Sequence, residues 1–251
     1  MNSVKTGDIL LFQSNTPTAF ILRTFTSSHW NHAGAAVRIK TDGTVSLDET
    51  GLLFVLELNS GKRYDIISQT EMTGLTLTGI QYVVGKYNTI AVRRMRDHLR
   101  TQEFGKAVAK FITKHHGHDF SDSFLPFISV WLGIPFAGDK RRNEQGKREL
   151  FCSEMLAYFY DNCVGPIEAE HQNKPYREND FRLIFGSDAP EMACLYKPGH
   201  FSLELTPECP LFESSENVIY KVYADVGVVV VQPLLLILLG LVILAMVLPR
   251  N

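Results

Sequence analysis

A cysteine lies in the segment "RELFCSEMLAYFY", residues 148–160, where an extended run gives way to residues that favour a helix. A thiol at a helix N-terminus lies near the positive end of the helix dipole, which favours the thiolate. The thiolate is the form that attacks a carbonyl carbon. Cys152 is therefore a candidate nucleophile. The alternative left open by these residues alone is a buried thiol that only packs.

A cysteine nucleophile needs a base, and "SSHWNHAG" (27–34) offers two histidines. His32 precedes Ala33 and Gly34, whose small size lets other groups approach the imidazole. Histidine exchanges protons near neutral pH, so His32 can take the thiol proton and return it to a leaving group. His29 is a second candidate in the more polar loop, and either histidine could simply be an exposed loop residue.

A third group that orients the base improves such a site. Glu57 lies in the otherwise apolar run "LLFVLELNSG" (52–61). A carboxylate buried there is costly unless it is paired, and a neighbouring strand that carries His32 would supply the partner. The alternation of residues also permits Glu57 to point to solvent, with Leu56 and Leu58 inward.

The elements around these residues predict an α+β domain. Strands are predicted over residues 7–12, 31–39 and 52–59, the last ended by Ser60-Gly61, with two more between 79 and 94 and a late one over 201–205. Apolar residues at helical spacing predict a helix over about 102–115, and another helix starts near Cys152.

Two further clusters have plainer interpretations. The histidines at positions 115, 116 and 118 could suggest a metal site, but the first two are adjacent on a helix and point apart, which favours a solvated helix end. The basic run over residues 138–149 is either a solvated loop or a contact with anionic lipid headgroups. No metal and no cofactor are expected.

The net charge and the N-terminal sequence limit the expected partners and the expected state of the cysteines. The formal charge of the 251-residue chain is −2, so nucleic acid is not an expected partner. The chain opens "MNSVKTGDILLF", without the pattern of a secretory signal, so its four cysteines are expected to be free thiols.

Residues 226–248 carry no charged residue and are apolar almost throughout. A helix of this length spans about 34 Å, enough to cross a bilayer core of about 30 Å. The sequence therefore predicts a single C-terminal transmembrane helix, with the bilayer as a partner and the preceding domain facing the cytosol. Flanking charge is too sparse to fix the orientation from the charge rule.

The order of the motifs resembles a known family. "GDILLF", "NHAG", "LELNSG", a helix, "GHDF" and "LFCSEML" follow one another as in the circularly permuted papain-like thiol hydrolases of the NlpC superfamily, in the branch with the YiiX-type and poxvirus-type proteins. The resemblance covers about residues 5–163. It implies an antiparallel sheet with packed helices, with Cys152 as nucleophile, His32 as general base and Glu57 as the orienting group.

Three units are therefore expected: a catalytic domain over 1–164, which the resemblance implies, an accessory and irregular extension over 165–222, and the transmembrane helix over 226–248. The function expected is that of a membrane-anchored cysteine hydrolase or acyltransferase. It would cleave an amide or ester in a lipid, lipid-linked or peptide substrate, at a virion or organelle membrane. The alternatives are an inactive structural or interaction protein that keeps the fold, for example in a virion, and a lipid-binding module without turnover.

Overall fold

A computed structural model of the protein describes residues 1–119 and 150–221. Within these residues a seven-stranded sheet carries helices, as the predicted α+β class requires. The strands are β1 (Ile9–Gln13), β2 (His32–Ile39), β3 (Val45–Ser46), β4 (Leu52–Asp65), β5 (Thr70–Gly79), β6 (Thr89–Met95) and β7 (Phe212–Lys221). The helices are α1 (Pro17–Thr26), α2 (Ile80–Val83), α3 (Gln102–His115), α4 (Cys152–His171) and α5 (Phe181–Phe185), with short 3-10 segments at Asp97–Leu99, Ala193–Leu195 and Pro198–Phe201.

The sheet is antiparallel throughout the described residues and runs in the order β5-β4-β2-β1-β6-β7, with β3 paired to β2. Side chains alternate along each strand, so each face of the sheet is covered by its own apolar cluster. One face packs against α3 and α4, and the other against α2 and the N-terminal segment. The sheet therefore holds β2 and β4, the strands of the predicted base and carboxylate, side by side.

Both long helices begin where their sequences predict. Helix α3 buries Phe104, Val108, Phe111 and Ile112 at helical spacing, and the Thr101 hydroxyl accepts the Phe104 N–H at 3.2 Å. Helix α4 starts at Cys152 itself. Its start is capped by the Glu154 side chain, which accepts the Phe151 N–H at 3.4 Å, and its apolar residues pack against β2 and α3.

Three strand predictions need correction. Residues 81–85, predicted as a strand, belong largely to helix α2 and the turn after it. Residues 201–205, predicted as a strand, contain the last residue of the 3-10 segment Pro198–Phe201 and the bend and turn after it, and the strand of this region is β7. Strand β4 does not end at Ser60-Gly61 but continues to Asp65, with a register shift against β5 between Asn59 and Arg63. An irregular pairing of this kind absorbs turn-forming residues without ending the strand.

The segment after residue 164 shares the core of the sheet. Helix α4 runs across this position, and β7 pairs with β6. Phe181, Tyr196 and Phe201 belong to the apolar cluster that covers the α3–α4 face. The core is thus built from both sides of the boundary that the sequence predicts after residue 164.

Two predicted segments lie outside the described residues: the apolar run 226–248 and the basic run of residues 138–149. Among residues 1–119 and 150–221, no helix combines the length and the apolar character that a membrane crossing needs.

Candidate active site

His32 and Glu57 form a buried pair. His32 is the first residue of β2, and Glu57 lies on the adjacent strand β4. The His32 Nε2 lies 3.0 Å from the Glu57 Oε2, and the carboxylate is fully buried. Leu56 and Leu58 point to the α3–α4 face, so Glu57 points to the other face. The alternative in which Glu57 points to solvent is therefore wrong.

A glycine allows the two strands to approach each other here. A Cβ on Gly34 would lie 2.8 Å from the Val55 side chain and 3.0 Å from the Leu56 carbonyl oxygen. Real Cβ atoms essentially never come as close as 2.8 Å, so a larger residue would separate β2 from β4 next to Glu57. Gly34 therefore makes room for strand β4, which carries Glu57. The sequence alone predicts only that this glycine leaves space around the imidazole.

Cys152 completes the group. Cys152 and His32 line the same cleft, and the imidazole acts on the pKa of the Cys152 thiol through its charge and hydrogen bonding. Because Nε2 is bonded to Glu57, Nδ1 is the ring nitrogen left for the sulfur. Burial alone would raise the pKa of the Cys152 thiol. The charge of His32, its hydrogen bond and the backbone N–H groups of Ala33 and Ser153 outweigh burial and lower that pKa. The structure therefore favours the thiolate.

The imidazole responds in the opposite direction. Burial alone would lower the pKa of His32, but the Cys152 sulfur and then the Glu57 carboxylate raise it to about 9. For Glu57, burial favours the neutral acid, yet the hydrogen bond and charge of His32 keep its pKa below the usual value. The three groups thus shift one another toward a thiolate, an imidazolium and a carboxylate.

Aromatic rings hold the imidazole in place. The Tyr87 ring stacks on the His32 ring with centroids 5.8 Å apart and planes 5° apart. Phe12 lies opposite His32 in the β1–β2 register, with ring centroids 5.4 Å apart. The Phe12 and Tyr87 rings also pack against each other, with centroids 4.6 Å apart, so the imidazole rests against a pair of aromatic rings that limits its orientations.

Arg63 balances the charge of Glu57. Its Nε lies 3.4 Å from the Glu57 Oε1, an ion pair without hydrogen-bond geometry. The Tyr87 hydroxyl lies beside the same guanidinium. Burial, followed by the nearby carboxylate, raises the pKa of Tyr87, so its hydroxyl is neutral at physiological pH. Arg63 therefore links the carboxylate to the ring that stacks on the base.

Cys152 and His32 open into a cleft of about 310 Å³. Its walls come from helix α1, the end of β4, the residues before β6, the start of α4 and residues 196–198. The lining includes apolar side chains such as Leu22 and Leu58, and polar ones such as Asn31. A small molecule, or one end of a larger one, can therefore reach the Cys152 sulfur through this cleft.

The wall formed by residues 196–198 is anchored by a buried arginine. Arg93 on β6 is fully buried and donates hydrogen bonds to the carbonyls of Ser202 (3.0 Å) and Thr206 (2.6 Å). Its guanidinium also lies 5.2 Å from the centre of the Phe212 ring. These bonds tie the segment that follows the cleft wall to the sheet.

The remaining histidines lie elsewhere. His29 is exposed, packs edge-on against Trp30 and is not among the cleft residues. His116 pairs with Asp65 at 2.9 Å, and the ring of His115 packs against Phe111. Within the described residues, no group of three or more His, Cys, Asp and Glu side chains could hold a metal ion.

Three residues of this site were not identified from the sequence: Arg63, Tyr87 and Asn31. The sequence gives a weak signal for Arg63, which follows Glu57 on the same strand once the strand is extended past Gly61. Tyr87 and Asn31 carry no such signal, because their neighbours come from distant strands. The amide oxygen of Asn31 accepts the Ser14 N–H at 2.7 Å. The NH₂ group is therefore the end of the amide that is left to donate elsewhere.

Comparisons with known proteins find a similarity at the level of structure. No protein-family model matches the chain, and no curated protein matches it significantly. Among solved structures, the chain is similar to the crystal structure of metalloprotein yiiX from Escherichia coli O157:H7. The sequence identity is 14%, the TM-score is 0.47, and the match covers 88% of this chain and 99% of that chain.

Proposed function

We propose that the protein is a thiol hydrolase or acyl-transfer enzyme whose nucleophile is Cys152. The observation that supports this most is the buried arrangement of Cys152, His32 and Glu57 at the base of a cleft. A thiol that serves only for packing needs neither a lowered pKa nor an oriented imidazole. Cys163 shows the contrast, because burial raises the pKa of its thiol.

In the proposed first step, the Cys152 thiolate attacks the carbonyl carbon of an amide or ester. A C–S bond forms, and the carbonyl π electrons move to oxygen. When this tetrahedral intermediate collapses, the bond to the leaving group breaks, and the His32 imidazolium gives its Nδ1 proton to the departing nitrogen or oxygen. Glu57 is a positioning residue, since it touches His32 and not the substrate.

Two donors can stabilise the negative oxygen of the intermediate. The Cys152 N–H belongs to the first turn of α4, where N–H groups have no partner within the helix. The second is the Asn31 amide. Its oxygen is occupied by the Ser14 N–H, so its NH₂ group is the end left to donate into the cleft.

In the second step, water or another acceptor attacks the thioester. His32, now neutral, takes a proton from the acceptor, the acyl group leaves with it, and the Cys152 thiolate and the His32 imidazolium are restored. Water gives hydrolysis, whereas an alcohol or amine gives acyl transfer. Product analysis with and without a primary alcohol separates the two reactions.

The proposal also includes the fold family of the domain and its attachment to a membrane. The order base, carboxylate and nucleophile along the chain is that of a circularly permuted papain-like domain of the NlpC type. The apolar run 226–248 would anchor this domain to a membrane, and lipid, lipid-linked or peptide amides and esters are the substrates proposed.

An acylating probe tests the proposal. The full chain in detergent is treated with a cysteine-directed acyl fluorophore, and the labelled peptides are quantified by mass spectrometry. Cys152 should be labelled at least about tenfold faster than Cys163 and Cys209, as expected for a thiolate beside buried thiols of raised pKa. His32→Ala should slow labelling of Cys152 strongly.

Cys152→Ala supplies the matched control, because it should lose labelling and turnover without changing the fold. Equal labelling of Cys152 and Cys163 in folded protein would contradict the proposal. It would favour an inactive or purely structural protein instead.

A further inference from the structure

The cleft beside Cys152 carries more positive charge than the proposed reaction at Cys152 needs. Arg63, Lys86 and Lys197 line it, and among the described lining residues none is Asp or Glu. The charge of Arg63 is balanced by Glu57 at 3.4 Å, just as the thiolate balances the imidazolium. Lys86 and Lys197 are the two cations that this pairing leaves over.

Neither lysine forms an ion pair within 4.0 Å in the described part of the chain. Glu204 is the carboxylate that acts on Lys197 through its charge. It is held by the His29 N–H at 3.0 Å and the Ser28 hydroxyl at 3.3 Å, in a depression apart from the cleft. The Glu204 carboxylate is therefore bound outside the cleft and does not form an ion pair with Lys197.

The positions of both lysines are fixed by the backbone. Lys197 lies between the buried residues Tyr196 and Pro198, and its N–H donates to His200 Nδ1 at 3.2 Å. Its side chain is half-buried, and burial lowers the pKa of its ammonium group. A partly desolvated cation gains more from a bound anion than one in bulk water.

Lys86 is placed by its neighbour. It directly precedes Tyr87, which stacks on His32, and its N–H donates to the Val83 carbonyl at 3.1 Å. Its side chain is exposed, so it can meet an approaching anion without first leaving a partner. The two lysines thus border the cleft on segments that are anchored next to the reacting groups.

We propose that the substrate of this cleft carries a negative charge, on its acyl or its leaving group, and that Lys86 and Lys197 bind that charge. This inference assumes the proposed function at Cys152 and adds the class of substrate. The cleft also contains apolar residues from α1 and β4, so an anionic amide or ester with a short apolar portion fits its lining.

Alkylation of Cys152 by two reagents of similar size and the same leaving group tests the charge preference. In both reactions the thiolate sulfur displaces iodide and forms a C–S bond, but iodoacetate is an anion and iodoacetamide is neutral. The rate ratio at Cys152, measured by mass spectrometry and divided by the ratio for glutathione, reports the local potential. The His32 imidazolium contributes to this ratio, so the effect of the lysines is the change between variants.

The variants are Lys86→Gln, Lys197→Gln and the double variant, with Lys110→Gln on the exposed side of α3 as the matched control. Removing one cation should lower the normalised ratio about threefold and removing both about tenfold, because a threefold change corresponds to about 0.7 kcal/mol, a contribution typical of an exposed charge pair. Lys110→Gln should leave the ratio unchanged, and raising the ionic strength should reduce the preference of the wild type.

Two results overturn the inference, and they can be told apart. If iodoacetamide modifies Cys152 faster than Cys163 but the double lysine variant keeps the wild-type ratio, the charge inference is wrong and the proposed function stands. If Cys152 is no more reactive than Cys163 toward iodoacetamide, the proposed function is wrong, and the substrate class is lost with it.

Discussion

Replacing Glu57 by Gln removes one negative charge from the centre of the site while keeping its shape. The Glu57 Oε2 accepts the proton of His32 Nε2 at 3.0 Å, and Oε1 faces the Arg63 Nε at 3.4 Å. A glutamine cannot satisfy both neighbours. With its oxygen toward His32, its NH₂ group faces the guanidinium. With its oxygen toward Arg63, its NH₂ group faces an imidazolium N–H, which is also a donor.

The magnitude follows from the bond that is lost. A hydrogen bond to a charged group contributes about 1.5–3 kcal/mol, and about 1.4 kcal/mol corresponds to a factor of ten. Because Glu57 is fully buried, solvent does not weaken this bond. The thiolate–imidazolium pair should therefore become about 10- to 100-fold less populated relative to the neutral pair.

The pKa shifts of His32 and Cys152 determine the direction in which the pH profile of the variant moves. The Glu57 carboxylate is one of the groups that raise the pKa of His32 to about 9, so its loss lowers that pKa. A less charged His32 in turn lowers the pKa of Cys152 less. The thiolate of the variant should then appear at higher pH than that of the wild type, and the rate of alkylation at pH 6 should fall.

Iodoacetamide alkylation of Cys152 between pH 4 and 9, followed by mass spectrometry, measures this shift. Cys163 serves as a slow internal reference, and Glu103→Gln, an exposed carboxylate on α3, is the control variant. Circular dichroism establishes that the Glu57→Gln protein is folded. A folded variant with the wild-type rate at pH 6 and the wild-type pH profile would refute the positioning role of Glu57.

Three further predictions concern the cleft wall, the oxyanion donor and the anchor. Arg93→Met should lower the free energy of unfolding by about 3 kcal/mol, since it removes the Arg93 donors from the carbonyls of Thr206 and Pro207 and one of the donors to the Ser202 carbonyl; denaturant titration measures this, and a loss below about 1 kcal/mol contradicts it. Asn31→Ala should lower kcat about 100-fold with KM nearly unchanged, as for an oxyanion donor; a rise in KM alone would instead mean ground-state binding. A chain lacking residues 226–248 should move from the membrane pellet to the supernatant after alkaline extraction, whereas retention in the pellet would count against the predicted span.

The sequence predicts those elements whose residues carry a periodic pattern. Helix α3 has its apolar residues at helical spacing, which predicts a helix over about 102–115, and the structure has it at Gln102–His115. Strand β7 (Phe212–Lys221) was missed because it is an edge strand with mostly exposed or half-buried residues and no regular alternation. The sequence predicts a strand in place of helix α2, since a helix of four residues, three of them β-branched or aromatic, gives no period long enough to outweigh strand propensity.

Some residues of the candidate site can likewise be predicted from the sequence, and others cannot. Cys152, His32 and Glu57 could be selected because each residue type is costly or reactive in its local setting, and their order along the chain resembles a known family. Arg63 and Tyr87 could not be selected, because their role depends on strand register. Phe12 pairs with His32 on one side and with Ile90 on the other, and only this pairing brings the residues before β6 to the imidazole.

Charge balance explains why the site needs these additional residues. A thiolate, an imidazolium and a carboxylate together leave one uncompensated negative charge in a buried place, and such a charge costs several kcal/mol. Arg63 cancels it at 3.4 Å from Glu57, so the buried group is neutral as a whole. A neutral centre adds no net repulsion to an approaching anion, and the field within the cleft is then set by its unpaired cations. The arginine that stabilises the carboxylate therefore also leaves Lys86 and Lys197 free to select a negatively charged substrate.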